Sequence, residues 1–480
     1  MQSNLKTGVF VSFAGVFGSA LLWLLGFKIV AYWLGPSGVG LFSQLRQVVQ
    51  AATIAATFGG TNSVVQGISE RPDEQARLNF RATAGRLVAA AGLIVSSSMV
   101  VFAADVAHFF FSSTSEDLTV AVRWAGFAVL LNAVGTYTLG VLNGYRSFHL
   151  LALGQVVGPA ALVMFLGSVF WQGVAPQPQL LGIAFVLCFG ATLAAGAWGM
   201  WRLWPVGASH ASQGLPASET RSFLRFAASN LGAALATTLT FLLIRTWIID
   251  ARGLDFAGLF DAGWTLTFNY ATLFLTACSS IYLPLLTRAS GLDEQANCIR
   301  KTAYLVLAGA TLACYALVFL AGPIVRTLYS PAFQPSEQVL SILVIAVVFR
   351  SVSWVYGALI VATRKSRVLI VSDVAFNAGL LIAIKYSLNY HASLASVAWG
   401  FVLLNFCYLI FAVEYVKQSN KQVLRRNIWP LLVWSAGPLV FLSIANQSHS
   451  DFSGWLRWTC FVLGMTAALK SLLDFRKTSL

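Results

Sequence analysis

The residues best placed to do chemistry are four charged side chains inside long apolar runs: Lys28, Arg46, Arg245 and Asp261. An ionisable side chain inside a membrane span costs free energy and usually faces a protein interior or a wet cavity. At a rise of 1.5 Å per residue, the three cations are predicted roughly 7–9 Å inside one membrane boundary. Asp261 enters its own span at a comparable depth. Three cations and one anion in one layer predict a cationic chamber.

Such a chamber suits a multiply anionic headgroup, because a guanidinium group offers two parallel hydrogen bonds to a phosphate. The alternative is snorkelling, in which Lys28, Arg46 and Arg245 extend to the headgroups of the bilayer. We favour the chamber because the residues occur as a set.

A second pair of charges is predicted at a different depth. Arg350 lies about twelve residues into its span, near the midplane, and Asp373 lies about five residues from the cytoplasmic end of the next span. The vertical gap of roughly 9 Å is within reach of an extended arginine side chain. An internal ion pair is predicted, either as a fixed strut between two helices or as a site of cation coupling.

The elements that must position these residues are membrane-spanning helices. Of the 480 residues, 58% are hydrophobic and 10% are charged, against roughly 45–50% and about 25% in a typical soluble domain. This excludes soluble enzymes and secreted disulfide scaffolds. A span needs ~20 apolar residues, and we predict an all-α polytopic protein with about fourteen. The spans are 9–34, 41–67, 84–111, 119–142, 150–171, 180–203, 223–249, 257–287, 302–328, 338–362, 368–388, 394–416, 429–446 and 455–473.

The basic residues orient the chain. The net charge of +14 has a topological explanation, because Lys and Arg concentrate in cytoplasmic loops; nucleic acid is not expected as a partner. Of the 31 basic residues, 22 fall in loops on the side of the N-terminus and six on the opposite side. Both termini are therefore predicted in the cytoplasm, together with residues 205–221 and 417–428.

The chain also repeats itself. Residues 73–77 return at 293–297, residues 38–42 resemble 256–260, and Arg146-Ser147 resembles Lys365-Ser366, at offsets of 220, 218 and 219. A repeat of six spans leaves both copies in the same orientation. Transporters place the substrate path at such a repeat interface, although ancient duplication alone would leave the same pattern. The predicted domains are 1–205 and 218–416, each a six-helix bundle, and 428–475, an additional helix pair.

Enzyme signatures are missing from the sequence. No phosphate-binding P-loop or dinucleotide fingerprint occurs. The six cysteines form no C-x-x-C pair, and the five histidines are scattered. We therefore expect a transporter with no metal or nucleotide cofactor and no catalytic residues.

The hairpin around Gly35 resembles a known family. Residues 28–47, KIVAYWLGPSGVGLFSQLRQ, combine a Lys in span 1, a GP-G-G turn and an Arg-Gln pair in span 2. This is similar to Wzx-type flippases of the multidrug/oligosaccharidyl-lipid/polysaccharide (MOP) exporter superfamily. Further similar segments are 142–146, 224–226, Arg245 and 281–288, so the resemblance covers roughly residues 1–420.

The resemblance implies a flippase that moves undecaprenyl-diphosphate-linked oligosaccharide units, such as those of O-antigen or enterobacterial common antigen, across the bacterial inner membrane. It implies two six-helix bundles around a V-shaped cavity, transport coupled to H⁺ or Na⁺, and a polysaccharide polymerase and chain-length regulator as partners. Lys28, Arg46 and Arg245 would then contact the diphosphate. Members of this family often have twelve spans, and this chain departs from them by adding a helix pair at residues 429–473. It also departs in span 8, where Asn269 and Tyr270 occupy the place of an acidic residue and Asp261 lies at the span's start, so the coupling ion stays open.

Two rival functions remain. A drug–cation antiporter of the same superfamily would be expected to have a more acidic cavity. A membrane glycosyltransferase or ligase acting on the same lipid would need a large outer loop with catalytic acids or histidines. No predicted outer loop exceeds about a dozen residues, which is shorter than one span of ~20 residues.

Overall fold

The structure is a computed structural model that describes residues 2–71, 73–203, 216–289, 291–363, 365–391, 393–419, 428–445 and 453–477. Every regular element in these ranges is helical, which confirms the all-α prediction. The helices are α1 (Gln2–Ala56), α2 (Asn62–Ser69), α3 (Glu74–Val101), α4 (Ala103–Phe111), α5 (Glu116–Gly144), α6 (Phe148–Trp171), α7 (Pro178–Arg202), α8 (Ala217–Trp264), α9 (Tyr270–Arg288), α10 (Leu292–Phe319), α11 (Ala321–Leu328), α12 (Ser336–Ala362), α13 (Ser366–Tyr390), α14 (Leu394–Ser419), α15 (Trp429–Ala445) and α16 (Ser453–Lys477). A π-helical turn at Thr265–Asn269 joins α8 to α9.

The described part of the chain contains eleven helices long and apolar enough to cross a membrane, and a shorter apolar helix at Trp429–Ile444. Two of the eleven, Val11–Ala56 and Ala234–Thr276, have 46 and 43 residues, about twice the length that one crossing needs. The protein is therefore a multi-pass membrane protein, and the count of fourteen spans stays a prediction.

The long helix α1 is a hairpin of two arms. Its turn is at Gly35, where φ is 68° and ψ is −161°, a conformation essentially restricted to glycine. The Arg46 guanidinium lies 5.2 Å from the Trp23 ring centroid and 5.0 Å from that of Phe27. Residues 23 and 46 of a straight helix would lie about 34 Å apart. The chain therefore folds back at Gly35.

The helix pattern repeats along the chain. Gly253 interrupts α8 with φ 81° and ψ 177°, and it follows Gly35 by 218 residues. Helices α3 and α10 begin at Glu74 and Leu292, and α6 and α13 begin at Phe148 and Ser366, again 218 residues apart. The helix starts thus follow the same offset as the sequence matches.

The chain forms two compact units, a first unit at Met1–Gly258 and a second unit at Leu259–Leu480. In the first unit, α5 packs against α3 and α7, and α1 packs against α6. These units are defined by compactness, whereas the predicted domains 1–205, 218–416 and 428–475 follow the repeat. The domain boundaries stay a prediction.

In the first unit, two motifs flagged in the sequence meet near the start of α3. The Tyr145 hydroxyl donates a hydrogen bond of 2.8 Å to the Glu74 carboxylate. The guanidinium groups of Arg77 and Arg81 lie over the Tyr145 ring, 5.7 and 5.5 Å from its centroid. These contacts connect the beginning of α3 to the end of α5.

In the second unit, α12 is buried along most of its length and packs against α10, α14 and α15. Helix α15 joins this core through two hydrogen bonds: the Tyr315 hydroxyl donates to the Ser435 carbonyl oxygen at 3.1 Å, and the Ser443 hydroxyl donates to the Ser341 carbonyl oxygen at 2.6 Å. Helix α15 therefore packs on α10 and α12, and α16 packs on α10 and α15.

Candidate functional site

The site is built where α1 and α8 approach each other within the first unit. A Cβ atom at Gly40 would lie 3.0 Å from the Gly258 nitrogen, and one at Gly258 would lie 2.9 Å from the Gly40 nitrogen. Each would also clash with a carbonyl oxygen, that of Leu254 or that of Pro36. Only glycine permits this approach. Gly40 and Gly258 are equivalent positions of the sequence repeat, so the two copies of that motif touch each other.

Two glutamines of α1 continue this contact as hydrogen bonds. Gln44 Nε2 donates to Thr246 Oγ1 at 3.0 Å and to the Phe110 carbonyl oxygen at 3.1 Å. Gln47 Oε1 accepts from Arg245 Nη1 at 3.1 Å. Gln44 and Gln47 are three residues apart, which places them on one face of the helix. We call Gln44, Gln47, Arg245 and Thr246 the α1–α8 seam.

Arg245 is the most buried of the three predicted cations, with 8% of its surface exposed. It lies eight residues before the turn at Gly253, about 12 Å along the helix. At that depth a guanidinium group reaches bulk headgroups less readily than one at a helix end. The Gln47 amide oxygen accepts a hydrogen bond from one of the five N–H donors of Arg245.

Arg46 is half-buried on the second arm of α1 and lies over two rings of the first arm, Trp23 and Phe27. A cation over an aromatic face is stabilised by the negative charge density of the ring. Phe42 packs against Phe27 with centroids 5.1 Å apart and against Phe185 of α7 with centroids 5.0 Å apart. The aromatic cluster thus fixes Arg46 against the first arm of the hairpin.

Lys28 is half-buried on the first arm, and its ammonium lies 5.9 Å from the Tyr32 ring centroid. Lys28, Arg46 and Arg245 all belong to the first unit, carried by the two arms of α1 and by α8. Whether they line one shared cavity stays a prediction.

Asp261 lies in the second unit, three residues beyond Gly258, and is 1% exposed. Its stretch of α8 carries Trp264, which stacks on Phe268 at 4.2 Å between centroids and packs on Phe401 of α14 at 4.9 Å. Asp261 is thus buried on a stretch of α8 that packs within the second unit. Its predicted place in the cationic layer is not tested by these contacts.

The second predicted pair also belongs to the second unit. Arg350 is half-buried on α12, and Asp373 is exposed on α13. The two side chains interact electrostatically. Tyr408 of α14 lies within the same electrostatic environment. The ion pair and its role as a strut or as a coupling site stay a prediction.

Sequence reasoning did not assign any role to Gln44, Gln47 or Thr246. Gln47 was noted only as part of the Arg46-Gln47 motif. The available signal was the pair of amides at i and i+3 inside an apolar helix, since a buried polar side chain needs a partner. That signal does not reveal which helix supplies the partner.

The three cations are chemically suited to binding an anion, which stays a prediction. Arg46 and Arg245 offer planar guanidinium groups, and Lys28 adds a point charge; all three can donate hydrogen bonds to phosphate oxygens. Among the described residues, no group of His, Cys, Asp and Glu side chains could hold a metal ion.

Comparison with known families identifies the chain. Residues 5–290, more than half of the sequence, match the family described as polysaccharide biosynthesis protein. The chain belongs to this family. Among curated relatives, this polysaccharide biosynthesis protein is 21% identical to the lipid III flippases of Escherichia coli K12 and Shigella flexneri, over 375 residues that cover 78% of the chain and 89% of each relative.

Solved structures show the same fold. The lipid II flippase MurJ in its inward closed conformation is 11% identical and matches with a TM-score of 0.65, covering 98% of this chain and 99% of MurJ. An inward-facing multidrug resistance MATE family transporter of the MOP superfamily is 13% identical and matches with a TM-score of 0.68, covering 86% of this chain and 96% of the transporter. The chain therefore shares the helical fold of these two transporters.

Proposed function

We propose that this protein is a flippase that moves an undecaprenyl-diphosphate-linked oligosaccharide across the bacterial inner membrane by alternating access. The observation that carries the proposal is the placement of Lys28, Arg46 and Arg245 on α1 and α8, deep in apolar helices. The relatives named lipid III flippase support a lipid-linked substrate for this chain as well.

The positive charge of the site supports a substrate with a diphosphate group. A diphosphate carries several negative charges and many acceptor oxygens, and charge-assisted hydrogen bonds to such a group are roughly twice as strong as neutral ones. The aromatic rings beside Arg46 restrict its motion. We propose that Lys28, Arg46 and Arg245 hold the diphosphate while the sugar crosses.

A second candidate is export of small cationic compounds, because the fold also matches a MATE family multidrug transporter. The three cations of the site argue against this substrate class, since like charges repel a cationic drug. The charge of the transported substrate therefore distinguishes a drug exporter from the proposed flippase.

The experiment is translocation in vesicles. The purified protein is reconstituted into proteoliposomes with a fluorescent polyprenyl-diphosphate-linked sugar, and a membrane-impermeant quencher reports the labelled lipid in the outer leaflet. We expect translocation by the wild type and strong loss in the Lys28→Ala/Arg46→Ala/Arg245→Ala variant. A labelled polyprenol without the diphosphate is the substrate control. Full activity of the triple variant, or transport of a cationic dye in place of the anionic lipid, would contradict the proposal.

We further propose that transport is coupled to H⁺ or Na⁺ and that the Arg350–Asp373 pair is the coupling site. An acidic side chain beside a cation can exchange its partner for a proton or a metal ion. Translocation is therefore measured with an imposed pH gradient and with an imposed sodium gradient, in the wild type and in Asp373→Asn. Coupling predicts that the variant loses the response to one gradient, whereas a fixed strut predicts lower stability with an unchanged response.

A further inference from the structure

We propose that Gln47 is a positioning residue that orients the Arg245 guanidinium toward the substrate diphosphate without neutralising its charge. This inference rests on the proposed function, because it assigns Arg245 to the diphosphate. Its own content is the role of a neutral amide next to a buried cation.

The orientation of the Gln47 amide is fixed by its neighbours. Its Oε1 accepts from Arg245 Nη1 at 3.1 Å, and its Nε2 donates to the Thr238 carbonyl oxygen at 3.4 Å. A guanidinium group can only donate and a carbonyl oxygen can only accept, so flipping the amide would place like groups against each other. Both hydrogen bonds join α1 to α8. Gln47 therefore holds the Arg245 guanidinium in one orientation relative to the backbone of α8.

The neutrality of the amide matters because of what Arg245 must do. A carboxylate in the place of the amide would bind the guanidinium as an ion pair and would compete with an incoming anion. It would also repel the diphosphate directly. An amide accepts the same hydrogen bond from Nη1 without adding a negative charge. Gln47 therefore holds Arg245 without placing a negative charge beside it.

The neighbouring glutamine provides a contrast within the same seam. Gln44 is fully buried, and its amide donates to Thr246 Oγ1 and to the Phe110 carbonyl oxygen. Thr246 in turn donates to the Leu242 carbonyl oxygen at 2.9 Å. This part of the seam joins the helices, so the control for Gln47 is chosen outside it: Gln66 is an exposed glutamine of α2 that donates to the Glu70 carboxylate.

The test compares Gln47→Glu, Gln47→Met and the control Gln66→Met in the full chain. Each purified protein is placed in nanodiscs, and binding of farnesyl diphosphate is measured, with farnesol as the uncharged control. We expect Gln47→Glu to bind the diphosphate at least ~10-fold more weakly, since it adds a competing charge. Gln47→Met should bind ~3- to 10-fold more weakly, since it keeps the shape and loses the orienting bond. Gln66→Met should bind like the wild type, and farnesol binding should not change in any variant.

A purely structural role predicts the opposite order. Glutamate would still accept the bond from Arg245, so Gln47→Glu would bind better than Gln47→Met. That result overturns the inference. If Gln47→Glu does not fold, as judged by its thermal unfolding, wild-type affinity of Gln47→Met would overturn it instead. Arg245→Ala separates the two proposals: if that variant binds the diphosphate like the wild type, the proposed site is wrong, whatever Gln47 does.

Discussion

At the scale of single residues, Arg46 differs from an ordinary basic residue in its aromatic surroundings. Its guanidinium lies over Trp23 and Phe27, on the opposite arm of the α1 hairpin. An arginine stacks on rings through a flat, weakly hydrated group, whereas a lysine offers a compact and strongly hydrated charge. The two side chains are therefore not equivalent at this position.

We predict that Arg46→Ala reduces lipid translocation by roughly ten- to a hundredfold, because a charge-assisted contact contributes ~1.5–3 kcal/mol. Arg46→Lys should lose part of the activity, because it keeps the charge but not the two-pronged hydrogen bonding. The measurement is the initial rate of translocation in proteoliposomes at equal protein density.

Arg202→Lys is the matched control, since Arg202 also lies over a ring, that of Trp198 at 4.3 Å, but at the end of α7. It should transport at the wild-type rate. Snorkelling predicts full exchange of Arg46 for lysine, so an unimpaired Arg46→Lys variant would favour that alternative.

At the scale of helices, the contact between Gly40 and Gly258 determines how closely α1 and α8 approach. We predict that Gly258→Ala destabilises the protein by roughly 1–3 kcal/mol, the usual cost of overpacking, because the added methyl group meets the Pro36 backbone. The measurement is thermal unfolding of the purified protein in detergent.

The control for this change is Gly232→Ala, also in α8. A Cβ at Gly232 meets nothing within 4 Å, and alanine in a helix is favoured over glycine by up to ~1 kcal/mol. This variant should be as stable as the wild type or more stable. Equal stability of Gly258→Ala and wild type would show that the helices tolerate a wider separation.

The hydrogen bond from Tyr145 to Glu74 connects the end of α5 to the start of α3. Burial raises the pKa of Tyr145 above 10.0, the Arg81 hydrogen bond lowers it and the Glu74 hydrogen bond raises it again. Because the folded pKa is raised, this stabilisation is complete below pH 10 and is lost as the pH rises through the folded pKa.

We predict that Tyr145→Phe lowers the free energy of unfolding by roughly 1–2 kcal/mol at neutral pH, since the lost bond is to a carboxylate at a half-exposed site. Tyr390→Phe, at an exposed tyrosine of α13, should change nothing. Unfolding measured at pH 7 and near pH 11 should show a smaller difference between Tyr145→Phe and wild type at the higher pH. A difference that grows with pH would contradict the sign of the pKa shift.

At the scale of the whole molecule, the distribution of basic residues predicts the orientation in the membrane. Residues 205–221 and 417–428 are expected in the cytoplasm, together with both termini. A cysteine introduced at Ser212, which lies outside the described residues, should react with a membrane-impermeant maleimide only after the inner membrane is opened. The background is a cysteine-free variant of the chain. Labelling from the periplasmic side in intact spheroplasts would reverse the topology.

The last two helices are predicted to support the second unit without lining the transport path. Helix α15 packs on α10 and α12 through Tyr315–Ser435 and Ser443–Ser341, and α16 packs on α10 and α15. A chain ending after residue 425 should insert but unfold at a lower temperature, and the fraction that stays folded should transport. A stable truncated protein without transport would give α15 and α16 a direct role.

Several features of this protein could be predicted from the sequence because they depend on local composition. The thickness of a bilayer fixes the length of an apolar helix, so helical spans such as α5 and α12 could be predicted from hydropathy. The cost of a charge in lipid marked Lys28, Arg46 and Arg245 as unusual. The repeat was visible because similar residues recur at nearly one offset, and the helix starts follow it.

The partners of those residues were decided by tertiary structure. Gln47 meets Arg245 and Gln44 meets Thr246 across about two hundred residues of sequence. Such contacts depend on which faces of α1 and α8 pack together, and hydropathy does not specify that choice because both faces are apolar. Gly40 and Gly258 were matched in the sequence as copies of one motif. Only folding brought the two copies into contact, because two backbones approach this closely where neither carries a side chain.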